Sequence, residues 1–580
     1  MSAMVTKEKN AQVIISLLKQ NNIRHIIASP GNTNIALVGS VQNDPFFKVY
    51  SSVDERSAAY LACGLAEELG EPVVITCTGA TASRNYAPGL TEAYYRKLPI
   101  LAVTSTQNTA RVGHLIAQVI DRSSVSNDVA KYSVTLPIVK DSEDLWDCEI
   151  KVNKAIHELT RNGGGPVHLN LETSYQLPFT SEDLPKYRNI TRFEEGMSFP
   201  SLPHKVAIFI GSHRTFTKDE ISTIELFCAQ NNAVVFCDHT SGYYGKYKLN
   251  FALVASQDEM KIEAFKPDLT IHIGEVTGDY PSLRLVGRNV WRVSEDGEIR
   301  DTFKRLTKIF ETNLISFLNN YISEDAKVKS EYYDFCHNEL KTLRSSIPEL
   351  PFSNIWIASE ISGKLPENSV VHLGILNTLR SWNFFDLPET VRANSNVGGF
   401  GIDGVLSSLI GASMAKPGNI FFCILGDLAL FYDLNVLGNR HVNNNVRVMV
   451  INNGKGTEFR NYNHHAAYFN DEDADKFISS AGHYGNKSRT LLKSFSESLG
   501  YEYLSASNKD EFYNSYDAFL DPKINEKPMI FEIFTDSSEE SKALNIIHTM
   551  KYDGTQVIKN KAKKMLGKSS VSILKNVLKK

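Results

Sequence analysis

Residues Phe421–Phe459, FFCILGDLALFYDLNVLGNRHVNNNVRVMVINNGKGTEF, hold two apolar runs that each end in a polar turn. The first, Ile420–Leu425, is bounded by Gly418 and Gly426 and reads as a buried strand of a parallel sheet. Gly426-Asp427 breaks it, and Leu430, Leu434 and Leu437 then recur at helical spacing. A second buried strand, Val446–Ile451, runs into Asn452-Asn453-Gly454-Lys455-Gly456. Open α/β sheets place ligands beyond the carboxyl ends of their strands. An acid and an amide are therefore expected at the tips of two strands that can be neighbours in one sheet.

That pair suits a divalent cation carrying a diphosphate. Mg²⁺ takes hard oxygen ligands and shares its shell with phosphate oxygens and water. Asp427 would supply a charged oxygen, Asn453 a neutral one, and a backbone carbonyl near Lys455 a third, while the glycines let a diphosphate approach the main chain. Gly-Asp and Asn-Asn-Gly also serve as plain turns, which is their commonest use. Either alone would be read so; occurring together after two apolar strands, they favour the ligand site.

Working outward, short apolar runs alternate with helical ones. The helix over 8–20 is followed by strands at His25–Ala28, around Val49–Val53, at Val73–Cys77, Leu98–Val103 and Val167–Leu171, with an alanine-rich helix over Ser57–Leu69. A second series is expected at Val206–Gly211, Ala233–Cys237, Leu269–Ile273 and Asn289–Val293, and a third holds the opening stretch and ends at Met529–Phe534. This alternation predicts an α/β protein of three doubly wound parallel-sheet domains, spanning 1–178, 204–345 and 350–545. The proline-rich 179–203 reads as an irregular linker, and Thr302–Leu343 as charged helix. The middle unit has no Gly-x-Gly-x-x-Gly to argue for a dinucleotide.

Composition narrows the classes. With 580 residues, several domains are expected at about 150 residues each. A net charge of −4 gives no general attraction to nucleic acid or membrane. Seven cysteines without Cys-x-x-Cys spacing point to reduced, buried thiols, and the N-terminus lacks the apolar core of a signal peptide, so a cytoplasmic protein is expected. Residues 546–580 form a basic tail, with eight lysines and no acid from Lys559 to Lys580. A solvated chain end is the preferred reading; a basic amphipathic helix making weak contact with an anionic membrane or partner is the alternative.

The GD…NN arrangement of Gly426 to Asn453 resembles the cofactor motif of thiamine-diphosphate (ThDP)-dependent enzymes. Gly-Asp-Leu428, Tyr432-Asp433-Leu434-Asn435 and Gly401-Ile402-Asp403-Gly404 are similar to the menaquinone-pathway branch, the 2-succinyl-5-enolpyruvyl-6-hydroxy-3-cyclohexene-1-carboxylate synthases. The resemblance implies pyrimidine-binding, central and diphosphate-binding domains, in chain order, and ThDP with Mg²⁺ as cofactors. Asp427, Asn453 and Lys455 would hold the metal; Gly374, Leu376, Gly426, Leu428 and Gly456 would line the diphosphate. Asn396 and Gly399 would accept from the pyrimidine amino group, Ile402 would bend the cofactor, and Phe459 would pack on it. Glu55, following a strand and opening a helix, matches the glutamate that bonds the pyrimidine ring and promotes loss of the thiazolium C2 proton. Seen alone it would be a helix-end acid stabilised by the macrodipole. Gln118 matches a substrate-facing amide and Arg380 an acceptor-binding arginine, for which a surface salt bridge is the competing role.

Other positions depart from that branch. Asn32-Thr33-Asn34 stands where it carries Ser-Arg-Ser, Thr106-Gln107 where it carries an arginine pair, Asp279-Tyr280 where it carries Lys-Arg, and Val397 where it carries arginine. Each lost arginine removes a two-pronged carboxylate clamp. The resemblance thus implies decarboxylation of a 2-oxo acid and transfer of the acyl-anion equivalent to an acceptor, with the menaquinone reaction itself not expected. A plain non-oxidative decarboxylase is the nearest alternative, and the menaquinone-branch synthase reaction the other. It also implies a homo-oligomer, a dimer at minimum and compatible with a dimer of dimers, because two protomers share each cofactor.

Overall fold

The computed structural model describes residues 4–174 and 178–551. The tail's lysine-rich segment and its two expected roles lie outside the described residues. The chain forms two compact units, Met1–Gly196 with Asp296–Glu311, and Met197–Glu295 with Thr312–Lys580.

In the first unit a six-stranded sheet runs in the order Lys48–Ser51, His25–Ala28, Val73–Cys77, Ile100–Thr106, Val167–Glu172, Tyr132–Leu136, every pairing parallel. Successive side chains of one strand enter different cores. Ile26, Val74, Leu101 and Val103 pack with helices Lys9–Gln20 and Ser142–Glu158. Ile27, Val73, Ile75, Ile100 and Ala102 pack with Glu55–Leu69 and Ala87–Arg96. A sheet buried on both faces explains why its strands read as unbroken apolar runs. Gly89 lets the last two helices touch: a Cβ there would lie 2.5 Å from the Ala59 Cβ.

The second unit holds two sheets. One has parallel strands in the order Lys248–Leu249, Ala233–Cys237, Val206–Ile210, Leu269–Ile273, Asn289–Ser294. The other runs Arg392–Asn394, Val370–Leu373, Phe421–Gly426, Val446–Asn452, Met529–Phe534, Glu502–Ala506, again all parallel. The two strands of the opening stretch are thus direct neighbours, in register from Phe421 opposite Val446 to Gly426 opposite Ile451. The protein is an α/β fold of several doubly wound parallel sheets, as its alternation predicted.

Three stretches differ from expectation. Within 179–203, expected to be irregular, Phe179–Thr180 pairs antiparallel with Val5–Thr6, and Thr191–Glu194 pairs parallel with Leu306–Glu311. Leu306–Glu311 itself interrupts the stretch 302–343 that read as helix. Its Leu306, Ile309 and Phe310 are buried, while Lys308 and Glu311 stay partly exposed, so charge hid a short strand. The helix after Gly426 also begins at Asp427 and stops at Tyr432, and Leu434–Gly438 is a 3₁₀ turn.

All seven cysteines are free and buried. Burial pushes the Cys63 and Cys237 thiols up to about 11 and Cys77, Cys148 and Cys336 to about 12. Among the described residues no helix is long and apolar enough to cross a membrane.

Candidate active site

At the carboxyl ends of the central strands of the second unit's last sheet lies a cavity of about 370 Å³. It is lined by Gly374, Leu376, Ile402, Gly426, Asp427, Leu428, Asn453, Lys455, Gly456 and Phe459, ten of the positions singled out from sequence. That size is in the ordinary range of small-molecule sites.

Each position follows from local chain geometry. Phe421–Gly426 ends on Gly426, whose absent side chain leaves nothing within 4 Å, so the main chain there is open to a ligand. Asp427 is 4% exposed. Burial lifts its carboxyl to about 7, against backbone hydrogen bonds from Leu428 and Gly454. A bound cation would reverse that cost, so a buried carboxyl without a cationic side-chain partner among the described residues fits a metal ligand here. On the adjacent strand Asn452 points inward: its Nδ2 donates to Glu532 Oε1 at 2.6 Å and its Oδ1 accepts from Gly454 N at 3.2 Å. Asn453, the next residue, faces the cavity. Gly454 supplies the left-handed turn, φ +75°. The side chain of Lys455 is taken by Asp475 at 3.1 Å, leaving its carbonyl as the group it can offer.

A further wall comes from the turn after Val370–Leu373, Gly374 to Thr378. Leu376 has φ +68° and ψ −120°, a conformation costly for a leucine. Strain held at a cavity wall marks this turn as one built to present its main chain. Thr457 Oγ1 is buried without a partner at the same cavity. The donor set fits a metal-bound diphosphate: one carboxylate, one amide oxygen, a carbonyl, open glycine backbone and an unpartnered hydroxyl.

Asn396 and Gly399 do not line the cavity. They belong to the loop leading to Ile402, where Asn396 Nδ2 lies 3.9 Å from the place a Cβ of Gly404 would occupy. Arg380 also lies outside the lining, with its Nη1 donating to Glu458 Oε1 at 2.5 Å and its guanidinium 5.0 Å from the centre of the Tyr280 ring. Sequence reasoning did not single out Asn354, Asn377, Glu458, His483, Tyr484 or Glu540, which line the cavity from segments far apart in the chain. Burial raises the Glu540 carboxyl to about 7, and it accepts from Asn354 N at 3.0 and 3.1 Å.

Glu55 and Gln118 belong to the first unit. Glu55 is the first residue of its helix, capped by Asp54, and is half-buried with Asn85 Nδ2 3.5 Å from Oε2. Gln118 is exposed, with φ +65°, on the loop over the Thr78-Gly79 turn. A Cβ on Gly79 would stand 3.0 Å from the Gln118 carbonyl oxygen, which accounts for glycine there. Of the positions that depart from the basic pattern, five are built into the protein's own packing, while Asn32 and Tyr280 are exposed and Gln107 is partly so. Thr33 Oγ1 bonds Thr78 Oγ1 at 2.6 Å, Asn34 Nδ2 donates to Ser29 O at 3.0 Å, and Thr106, Asp279 and Val397 are buried.

Residues 8–125 match the family model described as "Thiamine pyrophosphate enzyme, N-terminal TPP binding domain". The chain is 30% identical over 561 residues to the 2-succinyl-5-enolpyruvyl-6-hydroxy-3-cyclohexene-1-carboxylate synthase of Phocaeicola vulgatus, covering 93% of this chain and 98% of that one. It is 29% identical to the synthase of the same name from Bacteroides thetaiotaomicron, with the same coverage. The one from Desulfotalea psychrophila is 27% identical over 76% of this chain and 84% of its own length. With its parallel-sheet architecture and the cavity at the Gly426–Asn453 strand ends, the chain belongs to the thiamine-diphosphate enzymes, in the family of these synthases.

Proposed function

We propose that this enzyme uses ThDP and Mg²⁺ to decarboxylate a 2-oxo acid and join the remaining acyl unit to a carbonyl or activated-alkene acceptor. The observation that carries this is the buried Asp427 carboxyl beside Asn453 at adjoining strand tips in one cavity. Bound there, ThDP would serve as the sink for the electron pair left when CO₂ departs. Asp427, Asn453 and the Lys455 carbonyl would hold the cation. The main chain at Gly374, Leu376, Gly426, Leu428 and Gly456 would face the diphosphate, and Ile402 and Phe459 would pack on the rings. Asn396 and Gly399 would offer backbone acceptors beyond them. Glu55, from a partner protomer, would hold the proton shared with the pyrimidine ring, and Gln118 would orient the donor acid. A cytoplasmic setting suits its seven reduced thiols.

The relatives' named synthase reaction is not the one we assign. The positions where arginines would clamp its carboxylates hold Thr33, Thr106, Gln107, Tyr280 and Val397, and Asp279 stands in place of a lysine. The test is to load the purified protein with ThDP and Mg²⁺ and offer pyruvate or 2-oxoglutarate with an aldehyde panel. Released CO₂ with a C–C coupled product is expected. Free aldehyde as the sole product makes it a plain decarboxylase, and efficient turnover of isochorismate with 2-oxoglutarate would overturn the substrate assignment.

A further inference from the structure

Arg380 is a basic residue beside the cavity, and its charge is already paired. Its guanidinium donates to Glu458 at 2.5 Å and lies over the Tyr280 ring at 5.0 Å. Glu458, not Arg380, faces the cavity. Asn377 fixes that carboxylate as well: in the amide orientation that satisfies both of its polar atoms it donates to Glu458 Oε2 at 2.7 Å and accepts from Glu458 N at 3.0 Å. The pair is half-sheltered, with side chains 24% and 17% exposed, so water screens it only partly. Lys455, which also lines the cavity, is held by Asp475. The polar lining further includes acids at Asp427, Glu458 and Glu540, the imidazole of His483, and neutral groups such as Asn354, Asn377 and Thr457.

We propose that the Arg380–Glu458 pair sets the acceptor class of this site: an uncharged, hydroxyl-bearing aldehyde or ketone is accepted, and an acceptor carrying a carboxylate is rejected. This rests on the functional reading above. A carboxylate would meet Glu458 rather than a free guanidinium, whereas hydroxyl groups can donate to Glu458 and pair with Asn377. In the balanced reaction the bond between the donor's carbonyl carbon and its carboxylate breaks. That electron pair forms the new bond to the acceptor's carbonyl carbon, whose π pair takes one proton. The products are CO₂ and a 2-hydroxyketone.

The experiment is a competition between two four-carbon aldehydes, erythrose and succinic semialdehyde, on the loaded enzyme with pyruvate, with products counted by mass spectrometry. Binding of the unreactive analogues erythritol and 4-hydroxybutyrate is compared by saturation-transfer NMR. Erythrose should be preferred by at least about tenfold, and Glu458→Gln, which releases Arg380, should cut that preference by roughly tenfold. A preference for the semialdehyde, a Glu458→Gln ratio that stays within twofold of the parent's, or binding of neither analogue overturns the proposal. Should no 2-oxo acid lose CO₂, the functional reading falls while the analogue binding ratio still judges the ion pair. If Glu458→Gln does not fold, the wild-type ratios decide.

Discussion

Asn452 and Asn453 are one position apart, and strand alternation sends them to opposite tasks. Asn452 holds buried Glu532, which also accepts from Tyr503 Oη at 2.7 Å, and braces the Gly454 turn. Replacing Asn452 with Ala strips a buried carboxyl of a donor, and unfolding in denaturant should show a loss of about 1–3 kcal/mol. Asn453→Ala should leave the unfolding midpoint nearly unchanged and weaken Mg²⁺-dependent ThDP binding, read by calorimetric titration, by tenfold or more. Glu540 gives a prediction in pH. Its carboxyl is raised to about 7 in the fold, from an ordinary 4.5. The folded state therefore binds its proton more tightly than the unfolded chain does. Its stabilising contribution is complete below about pH 4.5 and is lost as pH rises through about 7. Glu540→Gln keeps an acceptor for Asn354 N and carries no charge, so its stability advantage over the parent should grow from pH 5 to pH 8, to at most about 3 kcal/mol. An equal advantage at both pH values would show that the buried charge is not what matters.

At the scale of elements, the close contact of Glu55–Leu69 with Ala87–Arg96 depends on Gly89, where an added Cβ would press on Ala59. Gly89→Val should push the helices apart and cost roughly 1–3 kcal/mol, read as a fall in thermal midpoint. If Glu55 acts as proposed, the shift of its helix should also lower turnover beyond any loss of folded protein. The same scale shows what the sequence could reveal. Central strands such as Val73–Cys77 and Val446–Asn452 are buried on both faces, and their unbroken apolar runs located them within a residue or two. Arg392–Asn394 and Glu502–Ala506 lie at the two margins of their sheet, keep exposed positions and carry polar residues. They left no periodic signal, and neither did Leu306–Glu311. The cofactor pocket was legible where a ligand residue terminates a strand, as at Asp427 and Asn453. Glu458, His483 and Glu540 reach it from separate segments, and nothing local to their sequence marks that convergence.

For the whole molecule, the proposed sharing of a cofactor between protomers requires a surface on the first unit able to associate. Helices Glu55–Leu69 and Ala87–Arg96 expose Tyr60, Leu61 and Tyr95, at 49%, 55% and 70%, on an otherwise packed pair. Exposed apolar groups so near Glu55 fit a self-association face. Leu61→Asp with Tyr95→Asp should move the sedimentation coefficient toward that of a 64.8 kDa monomer, and ThDP affinity should fall with it. Dissociation without loss of cofactor affinity would place the whole cofactor site within one chain.

The sheltered thiols have a practical consequence for measuring that association. With every native thiol inside the packing, a maleimide dye has almost no background target on the folded protein. A single cysteine introduced at a solvent-facing position such as Ser498 would take the label alone. Mixing donor- and acceptor-tagged preparations would then report subunit exchange by resonance energy transfer, in real time and without removing any residue the fold relies on.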